Sequence, residues 1–298
     1  MENLPLVSII TPSYNSADFI EETIQSVLSQ SYPRIEHIII DGESKDDTID
    51  IISKYLDRLI FISERDEGQT DAINKGMNLA SGDIIAYLNA DDTYLPDTVE
   101  IVVNFLLKNP DVMMVYGDYI VMNQEGKSLF TVKPGNFHLE DLITLNSKIG
   151  QPAVFLNREA VKIVGNFDEK LEIIMDLDYW IRMGLNFNVG YVPRIIAKFR
   201  VHPQSKSKRE GFFRVTDEYL YVLDKVYSQP GGIPSSLVKL KKKAYASAFF
   251  MGAHDSIQEG RYLSGLHLFF EALNRWPFII FTTKNIKKIL ILFKGKFL

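Results

Sequence analysis

Apolar residues recur along the first part of the chain in two alternating rhythms. Short apolar runs at 6–11, 35–40, 59–63 and 84–88, bounded by prolines or polar turns, read as buried strands. Between them the apolar spacing lengthens to three and four. Phe19, Ile20, Ile24, Val27 and Leu28 form one such set, residues 49–56 a second, and Ile73, Met77, Leu79 and Ala80 a third. Each predicts a helix with one face on a core, and Asp18 and Glu21 are placed to cap the first. Strands alternating with helices predict an α/β protein with a mostly parallel central sheet, whose strand ends line up along one edge.

The later pattern is less regular. A helix is predicted over 98–107, with Val99, Val102, Val103 and Leu106 inward, then a strand over 112–122 interrupted by Gly117 and Asp118. Residues 123–126 make a hairpin turn returning to a strand at 129–132. Residues 137–149 fit a loop with a short helix, 151–156 a strand, and the chain from Arg158 a helix. A Trp-containing amphipathic turn begins near Met175, and 187–201 supplies late strand material. Beyond Gly211 the pattern is helical: 212–227, 235–258 and 262–274, with a Pro-Gly break at 229–234.

Four polar turns follow predicted strands at their carboxyl ends: Tyr14-Asn15, Asp41-Gly42, Asp66 to Gly68, and Asn89 to Asp92. In open α/β sheets the crevice outside those ends is where ligands bind. Asp91 and Asp92 bring two carboxylates there, which suits a charged or metal-bound ligand. Capping the next helix is the plainer role, and it suits one of the two. A nucleotide-sugar needs a slot for its base, acceptors for base and ribose, and a cation for its diphosphate; Tyr14, Asp41 and Asp91 offer these.

Composition narrows the classes. The absence of cysteine excludes a disulfide framework, a Cys-based zinc site and a thiol nucleophile. No apolar run approaches the length of a membrane span, and the start carries no leader-like pattern, so an intracellular protein is expected. No Gly-x-Gly occurs, which weighs against a dinucleotide oxidoreductase or a nucleotidyltransferase. The formal net charge of −5 is unevenly placed: residues 237–298 hold 11 Lys and Arg against 3 Asp and Glu, a surplus of eight. An acidic body with a basic, aromatic tail argues against nucleic acid as partner. Within 276–298 lysines alternate with aromatic and aliphatic residues, a pattern that fits either peripheral contact with an anionic membrane or a docking helix or oligomer contact.

Four segments together resemble the inverting glycosyltransferases of family 2: Thr11-Pro12-Ser13-Tyr14-Asn15, the acidic turn from Asp41 to Thr48, Asp71-Ala72-Ile73-Asn74-Lys75-Gly76, and Asn89-Ala90-Asp91-Asp92. The resemblance covers about residues 6–207 and implies the GT-A fold, a Rossmann-like sheet flanked by helices, here with a C-terminal helical extension. It implies a catalytic domain at 1–210, with a nucleotide-sugar half near 1–95 and an acceptor half near 96–210; it says little about the tail, where the helical pattern beyond Gly211 marks an extension at 211–298. It further implies that Pro12, Tyr14, Asn15, Asp41 and Gly42 hold the nucleotide, that Asp66 and Gly68 line the site, and that Asn74 and Lys75 lie near ribose or diphosphate. Asn89, Ala90 and Asp91 occupy the family's Asp-x-Asp position. Asn89 departs from it, keeping hydrogen-bonding capacity for a ribose hydroxyl but no charge, and Asp91 takes the place of the ligand to Mn²⁺ or Mg²⁺.

Met175 to Met183 resembles the start of the family's catalytic helix, with Asp176 in the general-base position and Asp178 as the alternative. The segment 199–207 resembles one whose His joins the metal, here His202; the other four histidines show no ligand spacing. The implied activity is metal-dependent transfer of a sugar, with inversion, from a nucleotide-sugar donor to a glycan or lipid-linked acceptor. Its implied setting is bacterial surface-polysaccharide or lipid-linked oligosaccharide assembly, at the cytoplasmic face of the membrane. A catalytically inactive nucleotide-sugar or carbohydrate-binding protein is the non-enzyme alternative.

Overall fold

The chain begins by alternating parallel strands with helices. β1 (Val7–Ser13), α1 (Ile20–Leu28), β2 (Ile35–Asp41), α2 (Thr48–Ser53), β3 (Ile60–Ser63), α3 (Gln69–Leu79) and β4 (Ile84–Tyr87) follow the alternating pattern closely. Then come β5 (Thr93–Tyr94), α4 (Thr98–Lys108), β6 (Val112–Met122), β7 (Ser128–Val132), α5 (Leu139–Ile143), β8 (Val154–Asn157), α6 (Arg158–Val164), α7 (Met175–Asn186) and β9 (Asn188–Arg200). The computed structural model describes residues 4–147, 149–205, 212–282 and 285–286. Lys206 and Ser207 of the segment bearing His202, and Lys284 and 287–298 of the basic tail, lie outside the described residues. The chain divides into two compact units, Met1–Phe137 with Lys148–His202 and His138–Ser147 with Pro203–Leu298.

The first unit is built on one sheet in the order β3-β2-β1-β4-β8-β6-β9-β5, with β7 paired to β6. β1 runs parallel to β2 and to β4, β2 to β3, and β6 to β9. β8 is antiparallel to both β4 and β6, so β4 and β6 share a direction. Six strands therefore point one way, and their carboxyl ends gather at a single edge. Helices cover both faces, as a parallel sheet requires. Ile39 packs with Ile20, Ile24 and Ile52 under α1 and α2, while Ile10 meets α3 so closely that a Cβ on Gly76 would lie 2.3 Å from it. Ile9, Ile10, Ile38, Ile39 and Ile40 are fully buried, each contributing roughly 1.5–3 kcal/mol as an upper estimate.

Three local expectations are corrected. α1 is not capped by Asp18 and Glu21: its N-cap position is Phe19, the Phe19 and Ile20 N–H groups donate to the Ser16 carbonyl, and Glu21 accepts from the Tyr55 hydroxyl. β6 is not broken at Gly117-Asp118. It continues to Met122 with a register shift against β9, and glycine is required because a Cβ at 117 would sit 2.8 Å from Ile196. The strand expected over 151–156 begins only at Val154; Gln151–Ala153 is a 3₁₀ turn, since Pro152 has no N–H for a ladder.

The second unit is helical: α5, α8 (Phe212–Tyr227), α9 (Ser235–Gln258) and α10 (Tyr262–Arg275), ending in a 3₁₀ turn Pro277–Phe281. Small residues let α9 and α10 approach closely. Ala246, Phe250 and Ala272 share a buried cluster with Ile279, and a Cβ on Gly265 would lie 2.6 Å from Ile257. The buried Tyr219 hydroxyl donates to the Ile143 carbonyl, tying α8 to α5.

β4 enters the sheet beside β1 at a point with no room for a side chain. A Cβ on Gly82 would lie 2.7 Å from the Ser8 backbone nitrogen and 2.8 Å from the Leu6 carbonyl oxygen, and neither can swing aside. Gly82→Ala is therefore expected to destabilise the protein by about 1–3 kcal/mol, read as a lower urea midpoint; an unchanged midpoint would contradict this packing.

Candidate active site

The turn that follows β4 is held from three sides. The Asn89 amide oxygen accepts from Gln69 Nε2 at 2.7 Å, and its nitrogen donates to Gln151 Oε1 at 3.0 Å and towards Asp92 Oδ2 at 3.4 Å. Gln151 Nε2 in turn donates to the Tyr87 carbonyl at 2.5 Å. Asn89 thus stands in a chain of neutral amides, where it acts as donor and acceptor at once; a carboxylate only accepts. Ala90 is buried, and the Thr23 hydroxyl lies 2.8 Å from both the Ala90 and the Asp92 carbonyl oxygens.

The two adjacent carboxylates have opposite surroundings. Asp92 is fully buried and accepts the Arg200 N–H at 2.8 Å. Burial, then the charge of Asp91, pushes its carboxyl well above the usual range. It braces the turn and does not cap α4, whose N-cap position is Asp97. Asp91 keeps a partly exposed side chain whose Oδ2 lies 2.9 Å from His202 Nε2. His202 is buried, with its ring centroid 4.8 Å from that of Phe19. The two residues expected to share a cation are therefore in direct contact at the ends of neighbouring chain segments.

Between them runs Arg200, only 2% exposed. Its Nε donates to the Asp91 carbonyl at 2.8 Å, one terminal nitrogen to the Gln124 carbonyl at 2.8 Å, and the other to Glu22 Oε2 at 2.5 Å. The guanidinium carbon also lies 5.0 Å from the centre of the Phe19 ring. One side chain so joins α1, the β4 turn and the β6–β7 hairpin. Neither Arg200, Gln69 nor Gln151 stood out in the sequence. The available signal was a cation closing the mostly apolar run 195–199, two residues before His202.

Two carboxylates also stand at the start of α7, and burial separates them again. Asp178 is buried and bonded to Arg182 Nε at 2.8 Å. Arg182 in turn donates to the Val164 and Asn166 carbonyls. Asp176 accepts the Leu177 N–H at 2.7 Å and is only partly buried. After burial itself, its charge is the next cause raising the Tyr87 phenol, and it helps push Tyr119 up to about 12. Tyr87 feels the charge of Asp92 as well, so Asp176 and Asp92 act on one buried phenol at the end of β4.

The nucleotide-half residues divide by the same criterion. Tyr14 is 60% exposed at the end of β1, whereas Pro12 is buried in that strand. Asn15 has a φ of 47°, and its side-chain oxygen accepts the Lys45 N–H at 2.8 Å. Asp41 is fully buried and accepts from the Ser44 N–H and hydroxyl and from the Ser63 hydroxyl. A Cβ on Gly42 would strike Asp66, whose Oδ1 accepts the Gly68 N–H at 2.9 Å. Gly68, with φ 116°, opens α3. Asn74 is buried and spends both ends of its amide on Phe167 and Glu169. Lys75 meets Glu64 at 2.8 Å and Asp71 at 3.2 Å, and the Glu64 bond foremost holds its ammonium above the usual value.

A model of glycosyl transferase family 2 matches residues 8–163, which contain β1 through β8 and the Asn89–Asp92 turn. The chain belongs to glycosyl transferase family 2. An uncharacterized glycosyltransferase of Rickettsia typhi is 34% identical over 206 residues, covering 66% of this chain and 64% of that protein, so the match spans just under two thirds of the relative. A Bacillus subtilis protein provisionally named as the teichuronic acid biosynthesis glycosyltransferase TuaG is 38% identical over 161 residues, 52% of this chain and 63% of that one. Among solved structures, Staphylococcus aureus TarS in complex with UDP-GlcNAc superposes with a TM-score of 0.70 at 16% identity, covering 90% of this chain and 79% of the other. The mannosyltransferase PcManGT of Pyrobaculum calidifontis, in complex with GDP-Man and Mn²⁺, gives 0.59 at 18% identity, covering 97% and 86%. These likenesses establish the GT-A type of α/β fold.

Removing the charge of Arg200 leaves Glu22 and the Asp91 and Gln124 carbonyls without their common donor. Arg200→Met is expected to cost about 3–5 kcal/mol. Arg200→Lys, which keeps the charge but not the planar fork, should cost less yet remain measurable by urea denaturation. A loss below about 1 kcal/mol for Arg200→Met would contradict the anchoring role.

Proposed function

We propose that the protein transfers a sugar, with inversion, from a nucleotide-sugar to a hydroxyl of a glycan or lipid-linked acceptor, with Asp176 as general base. What supports this reading is the contact of Asp91 with His202 at the turn after β4, the partly exposed Asp176 whose charge reaches Tyr87 at the end of that strand, and the burial of their carboxylate neighbours Asp92 and Asp178. In the reaction, Asp176 takes the proton of the acceptor hydroxyl as its oxygen bonds to the anomeric carbon. The bond from that carbon to the diphosphate breaks on the opposite face.

Among the described residues no group of three or more His, Asp or Glu side chains stands ready for a metal. A pair suffices where phosphate oxygens and water complete the shell, as is usual for Mg²⁺. Asp91 Oδ2 and His202 Nε2, 2.9 Å apart, offer one hard oxygen and one imidazole nitrogen, a set that also suits Mn²⁺. Such a cation, when bound, would neutralise charge on the departing diphosphate. Tyr14, exposed beside Asn15, provides an aromatic surface for the base, and the Asp66–Gly68 loop lines the site nearby. Asn89 remains the group proposed for ribose, reached by exchanging one of its present amide partners. The naming of the Bacillus relative supports a setting in bacterial surface-polymer synthesis.

Asp176→Asn keeps the size of the side chain and removes its basicity. Release of UDP or GDP from a panel of nucleotide-sugars is expected to fall roughly 10²–10⁴-fold, with binding of the nucleoside diphosphate unchanged. Asp178→Asn should instead lower stability. Full turnover by Asp176→Asn would overturn the assignment, and nucleotide-sugar binding without any turnover by the unaltered protein would favour a binding protein.

A further inference from the structure

The helical unit exposes a stripe of apolar side chains. On α10 the buried side is set by Gly265 and Ala272. Tyr262, Leu263, Leu266 and Phe270, which fall within a 100° arc at 3.6 residues per turn, all lie outward. Leu263 is 86% and Phe270 64% exposed. The following 3₁₀ turn adds Phe278 at 64% and Phe281 at 69%. Single exposed apolar residues are ordinary, but six within twenty positions form a patch, and patches mark contacts.

Charge identifies what the patch meets. α9 carries Lys239, Lys241 and Lys242 exposed, and Lys243 lies with its ammonium 5.6 Å from the centre of the Trp276 ring, next to Phe278. Lys243 therefore stands at the aromatic end of the stripe, Lys241 lies over the Tyr227 and Tyr245 rings, and the sequence over 237–298 carries a surplus of eight positive charges. Lysine is depleted from the cores of protein interfaces. Basic residues bordering Leu, Phe and Trp are what an interfacial helix presents to acidic headgroups and the acyl boundary. No described helix is long and apolar enough to cross a membrane, so the contact is one of lying on the surface.

We propose that α10 and the turn after it dock on an anionic phospholipid surface, Leu263, Leu266, Phe270, Phe278 and Phe281 entering the interface and the lysines of α9 meeting the headgroups. The assignment is independent of the catalytic reading. The full chain is mixed with vesicles of phosphatidylcholine alone or with one third phosphatidylglycerol and floated on a density gradient. Flotation is expected only with the acidic vesicles, weakened in about 1 M salt, and lost by at least about tenfold in Leu263→Glu/Phe270→Glu. Trp276 emission should shift to the blue on binding, while Trp180, already buried, gives a constant background. Equal flotation on neutral vesicles, or flotation undiminished in the double variant, would overturn the proposal. So would absence of flotation together with a dimer, seen by sedimentation, that the double variant dissociates, since the face would then belong to a second copy of the chain.

Discussion

A buried guanidinium is costly to place, and the arrangement around the β4 turn is organised by the way this protein compensates that cost. Arg200 gives its donors to two main-chain carbonyls and a carboxylate, and its own N–H goes to Asp92. With one partner missing, the desolvation penalty of several kcal/mol would be left unbalanced. The consequence is geometric. The turn from Asn89 to Asp92 has one way to sit, clamped between α1, the hairpin after β6 and the end of β9, and His202 follows Arg200 by two residues. Asp91 and His202 meet because Arg200 and Asp92 hold the segments that carry them.

The same division of labour recurs at α7. Each acidic pair buries one carboxylate and leaves the other partly exposed: Asp92 and Asp178 brace, whereas Asp91 and Asp176 keep access to solvent. At the β4 turn burial separates the chemistry as well: it holds the Asp92 carboxyl well above the usual range, which suits that group to bracing more than to holding a cation. Asn89 fits this frame. Beside a buried carboxyl, a neutral amide that both donates and accepts completes the chain from Gln69 to Tyr87 without adding a second negative charge.

The parallel half of the sheet was legible in the sequence because its signals are local. The apolar runs of β1, β2 and β4 and the periodicity of α1 and α3 each lie within a dozen residues, although β1 runs on through Pro12 to Ser13. The gathering of strand ends follows from connection rules, so the neighbourhood of the site was legible too. The partners of individual side chains were not, because they come from far along the chain. Gln151 reaches Tyr87 across 64 positions and Arg200 reaches Glu22 across 178, and no local pattern encodes such contacts. Pro152 misled in the opposite sense: the apolar run around it reads as strand, but the missing N–H delays the ladder to Val154. Asn74, chosen from its motif, is occupied with Phe167 and Glu169, a use visible only once the chain has folded.

Asp91 and His202, held by the Arg200 anchor, are proposed as the protein's share of a cation site completed by a nucleoside diphosphate. Calorimetric titration of Mn²⁺ into the protein, alone and with saturating UDP or GDP, tests it directly. Binding should tighten when the diphosphate is present and weaken by more than about tenfold in both Asp91→Asn and His202→Gln. Mn²⁺ affinity that is unchanged in both variants, in folded protein with the nucleotide bound, would contradict the account.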